Sequence, residues 1–556
     1  MTMTRRATRA AASTGPALPM EIWWLCTQEL ANRRDFASLF QCARVSQGLA
    51  ALALPLLYGI HELSPSYNDI IDLEASVGLW RSIILSSFGK TLLPYCSYIK
   101  TLRLGNLHQL LEDLARGSAA ELRNSFFSPP LQELRIRRAR GKILDLDAIV
   151  LEAANKITDC LKIQAEQQGR TSALVSLEGL HLPSINLQGW IPSLSRLTTL
   201  TVRDGSVLTR DVGKVIRKNC PSFKEVGAYW CRGTDVDLEL ASFFQELAPN
   251  TLESFTIQSL NNIGPETFKA LSGHALTLKC LGLFSLQRPA FESLNLLGGC
   301  RRLESLTLES AMESLRFDWN QGFQQQFREV LDWLQHCTYA KDLRFLRVAS
   351  ASKMLGELLK TPGIRPISLS IRANEFDDSF YTGLLHQPTL RRLTVRIVDD
   401  DVLESNELRR VMFVASLCSC RELRELETNE KLTVEDLTTI SKSCTELEEI
   451  ELSYDVIGDH FLHPLARLSR LKSLSVFGNS SFTFHGILDF LRQLEAHPDG
   501  QHNGLHISIM SQDFHKQLSP SQENSLAERI QASFDGKFDI VYGSDPNELH
   551  TSDFSD

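Results

Sequence analysis

The side chains of this chain best placed to do chemistry are charged, and the chemistry they suit is recognition. Arg344, Arg347, Arg391, Arg392 and Arg396 form a basic run, and Glu425, Glu427, Glu448, Glu449 and Glu451 form an acidic run after it. Lys100, Arg103, Arg135 and Arg137 precede them at equivalent spacing. A planar guanidinium suits a carboxylate or a phosphate, and adjoining strips of opposite sign suit a peptide that carries both charges. The same residues admit a second reading, in which neighbouring strands neutralise each other, Arg391 or Arg392 against Glu425 for example. Tyr229 and Trp230 are the aromatic anchor candidates, since such residues dominate interface hot spots, and packing on the next repeat is their alternative.

Bond-making chemistry finds no support. The sequence has no phosphate loop, dinucleotide glycine pattern, H-E-x-x-H or G-x-S-x-G motif. Its 14 histidines are scattered, and it has no C-x-x-C pair to suggest zinc. We therefore expect no catalytic residue, no metal and no cofactor. Five of the twelve cysteines, Cys96, Cys220, Cys300, Cys420 and Cys444, each stand three residues before an apolar residue that opens a leucine block. One repeated spacing is a structural register, in which cysteine acts as a small buried hydrophobe. Cys418 and Cys420 read as neighbours at a helix-to-strand turn. Asn479-Ser480-Ser481 matches the glycosylation sequon, expected to stay unused without a secretion signal.

The elements that must carry the charges come from a recurring L-x-x-L-x-L block. It appears as Ile99-Leu102-Leu104, Leu131-Leu134-Ile136, Leu177-Leu180-Leu182, Leu197-Leu200-Val202, Phe223-Val226-Ala228 and Leu252-Phe255-Ile257. It continues as Leu278-Leu281-Leu283, Leu303-Leu306-Leu308, Leu343-Leu346-Val348, Leu390-Leu393-Val395, Leu423-Leu426-Thr428, Leu447-Ile450-Leu452 and Leu471-Leu474-Val476. Ile367-Leu369-Ile371 and Leu505-Ile507-Ile509 are weaker copies. The commonest interval is about 24 to 26 residues. Alternation within each block makes a short strand, and segments such as Val434 to Ser441 and Phe461 to Leu468 carry helical spacing. Strands stack about 4.8 Å apart and helices about 8–10 Å, so such an array must curve with its strands inside. The pattern resembles the cysteine-containing, ribonuclease-inhibitor-like class of leucine-rich repeats, which implies an α/β solenoid in the form of a curved horseshoe. Two long gaps interrupt it: a charged helical stretch, Leu144 to Gln168, is an oversized repeat helix or a projection, and Trp319, Phe323, Phe327, Leu331 and Leu334 form an apolar stripe.

Ahead of the repeats lies LPMEIWWLCTQELANRRDFASLFQCARVSQGLAALALPLLY, Leu18 to Tyr58. Pro19 suits a first helical turn, and Ile22 and Leu25 follow at helical spacing to Leu30. Asp35 caps a second helix carrying Phe36, Leu39, Phe40 and Ala43, and Val45, Leu49, Leu52 and Leu56 continue a third that Pro55 ends or kinks. About forty residues cannot bury that much apolar surface alone. The order LP-x-E-I, D-F-x-S-L, V-S and P-L-L-Y resembles the F-box, and the ending Ala53 to Tyr58 looks like the fungal form. The family's Leu-Pro, Ile and Val positions fall on Leu18, Pro19, Ile22 and Val45; where the family often places Trp, this chain has Leu49, which keeps apolar contact and gives up aromatic area. The resemblance implies a non-catalytic substrate-recognition subunit of an SCF-type cullin-RING ubiquitin ligase. Leu18, Pro19, Ile22, Leu25, Leu39, Val45 and Leu49 would meet a Skp-type adaptor, and the repeats would hold a protein target. A helical cap on a scaffold or inhibitor, and an F-box protein outside ubiquitination, are the alternatives.

Of the 556 residues, 58 are basic and 67 acidic, and the net charge of −9 argues against a generic nucleic-acid partner. No apolar run approaches the roughly 18 residues of a membrane span. The expected organisation is a disordered basic leader over 1–15, the F-box over 16–60, a linker and helical cap over 61–95, with a helix from Leu79 to Phe88, and the solenoid over 96–510. A C-terminal cap over 511–542 opens at Ser519-Pro520 and closes with a strand at Phe538-Ile540-Tyr542, and 543–556 is a disordered acidic tail. The expected compartment is cytoplasm or nucleus; the leader, with Arg5, Arg6, Arg9 and no acid, also suits mitochondrial import.

Overall fold

The computed structural model describes residues 18–33, 35–59, 73–137, 143–168, 172–179, 182–311, 323–348, 350–373, 376–397, 407–497, 500–511 and 518–543. The leader, the linker over 61–72, Leu180, Trp319 and the tail beyond 543 lie outside these residues. Two compact units result, residues 1–203 with 215–223, and 204–214 with 224–556.

The first unit opens with three helices, α1 (Met20–Asn32), α2 (Phe36–Val45) and α3 (Gln47–Gly59). Asp35 accepts the Ser38 amide at 3.0 Å and so starts α2. Ala31, Leu39 and Ala53 form the small core, with Leu30, Cys42, Ala43, Leu56 and Leu57 against it. Pro55 neither ends nor interrupts the assigned helix; it lies inside α3, which runs on to Gly59. Tyr58 ties this module to the elements after it: its ring stacks on Tyr95 at 5.0 Å and its hydroxyl lies 2.9 Å from the Ser82 hydroxyl. Then come α4 (Leu73–Ser87), a 3₁₀ turn (Tyr95–Tyr98), β1 (Thr101–Arg103), α5 (Leu104–Ala115), α6 (Ala120–Phe126), α7 (Leu146–Gln168), β2 (Ser176–Gly179), α8 (Ser184–Trp190) and β3 (Thr199–Asp204). The long α7 is an oversized repeat helix and not a projection, because Ile149, Ala153, Ala154, Ile157 and Leu161 are all buried. Strand β1 pairs in parallel with β2, and β2 with β3. That direct pairing leaves no slot for the expected strand at Leu131-Leu134-Ile136. Leu131–Leu134 is a 3₁₀ turn, and Arg137 meets Leu144 only in an isolated antiparallel bridge, so Arg135 and Arg137 leave the outward row.

The second unit repeats one plan. After α9 (Arg210–Asn219), whose residues are shared between the two units, its elements are β4 (Glu225–Trp230), α10 (Val236–Glu246), β5 (Ser254–Ile257), α11 (Pro265–Leu271), β6 (Cys280–Leu286), α12 (Arg288–Glu292), β7 (Ser305–Ser310), α13 (Gln324–Gln335), β8 (Asp342–Leu346), α14 (Ala351–Leu359), β9 (Ser368–Ala373) and α15 (Asp378–Leu384). They continue through β10 (Arg392–Ile397), α16 (Glu407–Ser419), β11 (Glu425–Thr428), α17 (Val434–Ser443), β12 (Glu449–Gly458), α18 (Leu462–Leu465), β13 (Ser473–Ser481), α19 (Phe484–Glu495), β14 (His506–Ser511), α20 (Pro520–Phe534) and β15 (Lys537–Tyr542). From β4 to β15 each strand is hydrogen-bonded to the next in chain order. The registers are parallel and set leucine against leucine or isoleucine, as in Leu393↔Leu426 and Leu426↔Ile450. This is an α/β leucine-rich-repeat solenoid, and the different widths of its strand and helix layers bend it with the sheet inside.

Block residues fill the core: Leu252, Phe255, Ile257, Leu278, Leu281 and Leu283 are all at most 1% exposed. Each such side chain contributes about 1.5–3 kcal/mol on burial. In α13 the buried positions are Val330, Trp333 and Leu334; of the expected stripe Leu334 is buried while Phe323, Phe327 and Leu331 are half-buried, and Trp333 Nε1 donates to the Cys300 carbonyl at 3.0 Å. Successive helices pack tightly enough that a Cβ on Gly356 would lie 2.5 Å from the Ser379 carbonyl carbon. At the C-terminus Ser519 and Gln522 form a capping box with Pro520 in the first turn of α20.

Candidate protein-binding surfaces

Few apolar side chains of the N-terminal module find cover within it. Leu18, Met20, Ile22, Trp24, Leu25, Phe36, Phe40 and Val45 are between 40% and 72% exposed, and Pro19 is exposed beside them. Phe36 and Phe40 share one face of α2 at a spacing of four residues. Arg44 lies 5.9 Å from the Phe40 ring centroid. Leu39 and Leu49 behave differently. They are 0% and 8% exposed, so of the seven residues assigned to adaptor contact these two are buried in the free chain, Leu39 in the small core. Met20, Trp24, Phe36 and Phe40 are the exposed residues that sequence reasoning did not assign to a contact. Their signal was present, because a short helix with apolar residues on every side cannot bury them all.

The charges on the sheet of the second unit fall into rows, because residues in register on adjacent parallel strands share a face. One outward row runs Asp342, Ser368, Arg392, Glu425, Glu449, Ser473, and the next runs Arg344, Ser370, Thr394, Glu427, Glu451, Ser475. Arg396 lies one outward step further along β10 and bridges two strands, pairing with both Glu427 and Glu451. Thr394 donates to Glu427 at 3.1 Å. Arg344 is held by Asp342 at 3.1 Å, and Arg347 by Glu309. Arg392 stands 4.0 Å from Glu425, whereas Arg391 turns to Glu422 at 3.1 Å. In the free chain these arginines are therefore neutralised, Arg347, Arg392 and Arg396 by carboxylates of other strands and Arg344 within its own strand, mostly by partners other than those the spacing suggested. Burial, with neighbouring Glu427 next, pushes the Glu451 carboxyl above its usual range, and burial likewise raises Glu425. Tyr229 and Trp230 end β4 half-buried, with the Arg232 guanidinium 5.9 Å from the Trp230 ring centroid.

Arg391 and Glu448 do not belong to the outward rows. They occupy the position just ahead of each strand, where the stacked repeats set up a second line of charge that the sequence reading missed. Lys224, Glu253, Lys279, Glu304 and Lys341 succeed one another there with alternating sign. Glu253 lies 3.9 Å from Lys224 and 2.8 Å from Lys279, and Glu304 lies 2.7 Å from Lys341. Backbone bonds keep the line straight, since Glu253 donates to the Lys224 carbonyl, Lys279 to that of Glu253, and Glu304 to that of Lys279. Further on, Glu448 takes Arg424 at 3.6 Å and Lys472 at 2.6 Å. Hydrogen bonds from Lys279, Lys341 and Lys472 draw the Glu253, Glu304 and Glu448 carboxyls below their usual range.

All twelve cysteines are free thiols. In the repeats they do more than fill space. Cys220 donates to the Leu194 carbonyl at 3.3 Å, and Cys444 to that of Leu417 at 3.3 Å, each about one repeat earlier. Gln387 and His502 take the same register place and also meet carbonyls of the preceding repeat, Leu359 at 2.7 Å and Leu471 at 2.9 Å. Burial pushes the Cys220, Cys300, Cys420 and Cys444 thiols up to about 12. Among the described residues no group of His, Cys, Asp and Glu could hold a metal ion, and no helix is long and apolar enough to cross a membrane.

No family model matches the sequence, and no curated protein matches it. Among solved structures, a chain of the yeast Rad7–Elc1 complex is 14% identical, with 81% of this chain and 91% of that one covered and a TM-score of 0.38. A chain of the Drosophila Toll–Spatzle complex is 12% identical, covering 60% and 47%, at 0.33. Human 5T4, the trophoblast glycoprotein, is 13% identical, covering 50% and 88%, at 0.24. The leucine-rich-repeat assignment rests on the parallel ladder and periodic core described above.

Proposed function

We propose that this chain is a substrate-recognition subunit of an SCF-type cullin-RING ubiquitin ligase, in which α1–α3 form an F-box that docks on a Skp-type adaptor and the repeats bind a protein target. The observation that carries the reading is the exposure of eight large apolar side chains on a module of about forty residues, a patch larger in character than a free surface keeps without a partner. In this role the chain catalyses no reaction on the target. Its contribution is proximity, because two sites on one chain raise the effective concentration of a target lysine at the ligase. The outward rows around Arg344, Arg392, Arg396, Glu425, Glu427, Glu449 and Glu451, together with Tyr229 and Trp230, are where the target would be read. Cytoplasm or nucleus is the matching compartment, where thiols are kept reduced.

The test is binding of the full-length protein to purified Skp-type adaptor. Replacing Ile22 and Leu25 together by Glu removes two exposed contacts without touching the Leu39 core, and should cost about 2 kcal/mol or more, over tenfold in Kd. Ile185→Glu, at a more exposed position on α8, should change nothing. Absence of binding by the folded wild-type chain would sink the reading and leave a protein-binding scaffold.

A further inference from the structure

Four of the five register cysteines, Cys220, Cys300, Cys420 and Cys444, are buried and acid-weak. Cys96 and Cys160 are a pair. Cys96 lies in the 3₁₀ turn after α4, Cys160 on α7, and their sulfurs are 3.4 Å apart although 64 positions separate them. Both thiols are embedded in polar contacts. The Ser86 hydroxyl accepts the Cys96 amide at 3.2 Å and donates to its sulfur at 3.5 Å, while Gln164 Nε2 donates to the Cys160 sulfur at 3.5 Å. The hydrogen bond from Cys160 draws the Cys96 thiol below its usual range, against the effect of burial, and the same bond with burial raises the Cys160 thiol, so the shared proton rests on Cys160. Their access differs too, since Cys96 is fully buried and Cys160 only partly.

We propose that Cys96 and Cys160 are a modification site, closing reversibly into a disulfide by exchange with a small-molecule disulfide such as oxidised glutathione. Cys160, the reachable sulfur, attacks first: as its shared proton passes to the Cys96 sulfur, it bonds to one glutathione sulfur, the S–S bond of the reagent breaks, and a glutathione thiolate leaves and takes up that proton. The Cys96 thiolate then attacks the Cys160 sulfur of that mixed disulfide and expels the second glutathione thiolate. The two electrons lost by the protein thiols reduce one glutathione disulfide, and the two thiol protons end on the two glutathione molecules. A free sulfur must approach by roughly 1.4 Å to reach the ~2.05 Å bond, a distance that side-chain rotation and a small shift of α7 supply. The bond ties α7 to the turn whose Tyr95 stacks on Tyr58 of α3, so the redox state reaches the seat of the N-terminal module.

The experiment uses the full-length chain equilibrated over a range of oxidised-to-reduced glutathione ratios, quenched by alkylation and mapped as peptides without reduction. A peptide pair linked through Cys96 and Cys160, growing with the ratio, reversed by dithiothreitol and accompanied by a rise in melting temperature, is the expected result. Cys96→Ser should instead trap glutathione on Cys160, and Cys160→Ser should leave Cys96 alkylatable, with both variants checked for native circular dichroism. Stable glutathione on wild-type Cys160 without the link, or both thiols still alkylatable at the highest ratio, would overturn the proposal.

Discussion

Arg396 stands against two carboxylates on neighbouring strands, and Glu427 and Glu451 are themselves in register. Removing the arginine leaves like charges facing across one strand spacing, which sheets tolerate poorly. We expect Arg396→Ala to cost about 1.5 kcal/mol at pH 7, read as a lower thermal or urea midpoint. The pH dependence has a definite sign. Glu451 has a raised folded pKa, so it takes up a proton early as pH falls, and a neutral Glu451 no longer needs the arginine. The difference between wild type and variant should therefore shrink from pH 7 towards pH 4; a constant difference would show that Arg396 acts through packing alone. The identities of these residues were legible in the sequence because strand alternation sends them outward. Their pairing was not, since a guanidinium spans several ångströms and chooses among carboxylates that only the stacking of repeats brings near.

At the scale of elements, neighbouring repeats complete each other's ends. The Asp237 carboxylate, on α10, accepts the amides of Gly264, Glu266 and Thr267 at 2.7, 3.1 and 3.0 Å, at the start of α11. Asp459 does the same for the start of α19, taking the Thr483 amide at 2.8 Å. An exposed helix start loses about 1 kcal/mol with its cap. Three amides held by one charge should make Asp237→Ala cost about 2 kcal/mol. Hydrogen exchange should then quicken at Gly264, Glu266 and Thr267 and stay unchanged in α17, whose cap is its own Thr433. Uniform acceleration would mean the substitution acts globally. Helix and strand types were readable from periodicity across most repeats, and so was the Ser519 cap, because donor and acceptor lie within one turn. Caps that reach from one repeat to the next leave no local trace. The failed strand at Leu131-Leu134-Ile136 has the same origin, as its leucines are placed correctly but β1 and β2 occupy the only ladder position.

Most terms that hold the second unit join neighbouring repeats, as in other repeat arrays, and the Arg396–Glu451 pair reaches one strand further. The alternating line Lys224, Glu253, Lys279, Glu304, Lys341 is one such term, and it is solvated, so each pair contributes little by itself. Lys279→Glu converts attraction on both sides into repulsion and should lower the melting temperature at low salt. Raising NaCl to about 1 M, where the Debye length is about 3 Å, should recover most of the loss. A salt-independent loss would point to packing. Acid should weaken the wild-type line as well: the lowered pKa values of Glu253 and Glu304 contribute stability above the unfolded carboxylate pKa of about 4.3, lost as pH falls through their folded values.

That line gives the array a parity. Excising or duplicating a single repeat between Lys224 and Lys341 would bring lysine beside lysine or glutamate beside glutamate, whereas adding or removing two would leave every neighbour opposite in sign. A tandem protein is usually pictured as growing one unit at a time. Across these five repeats, changes of length that come in twos meet no electrostatic penalty, and odd ones do.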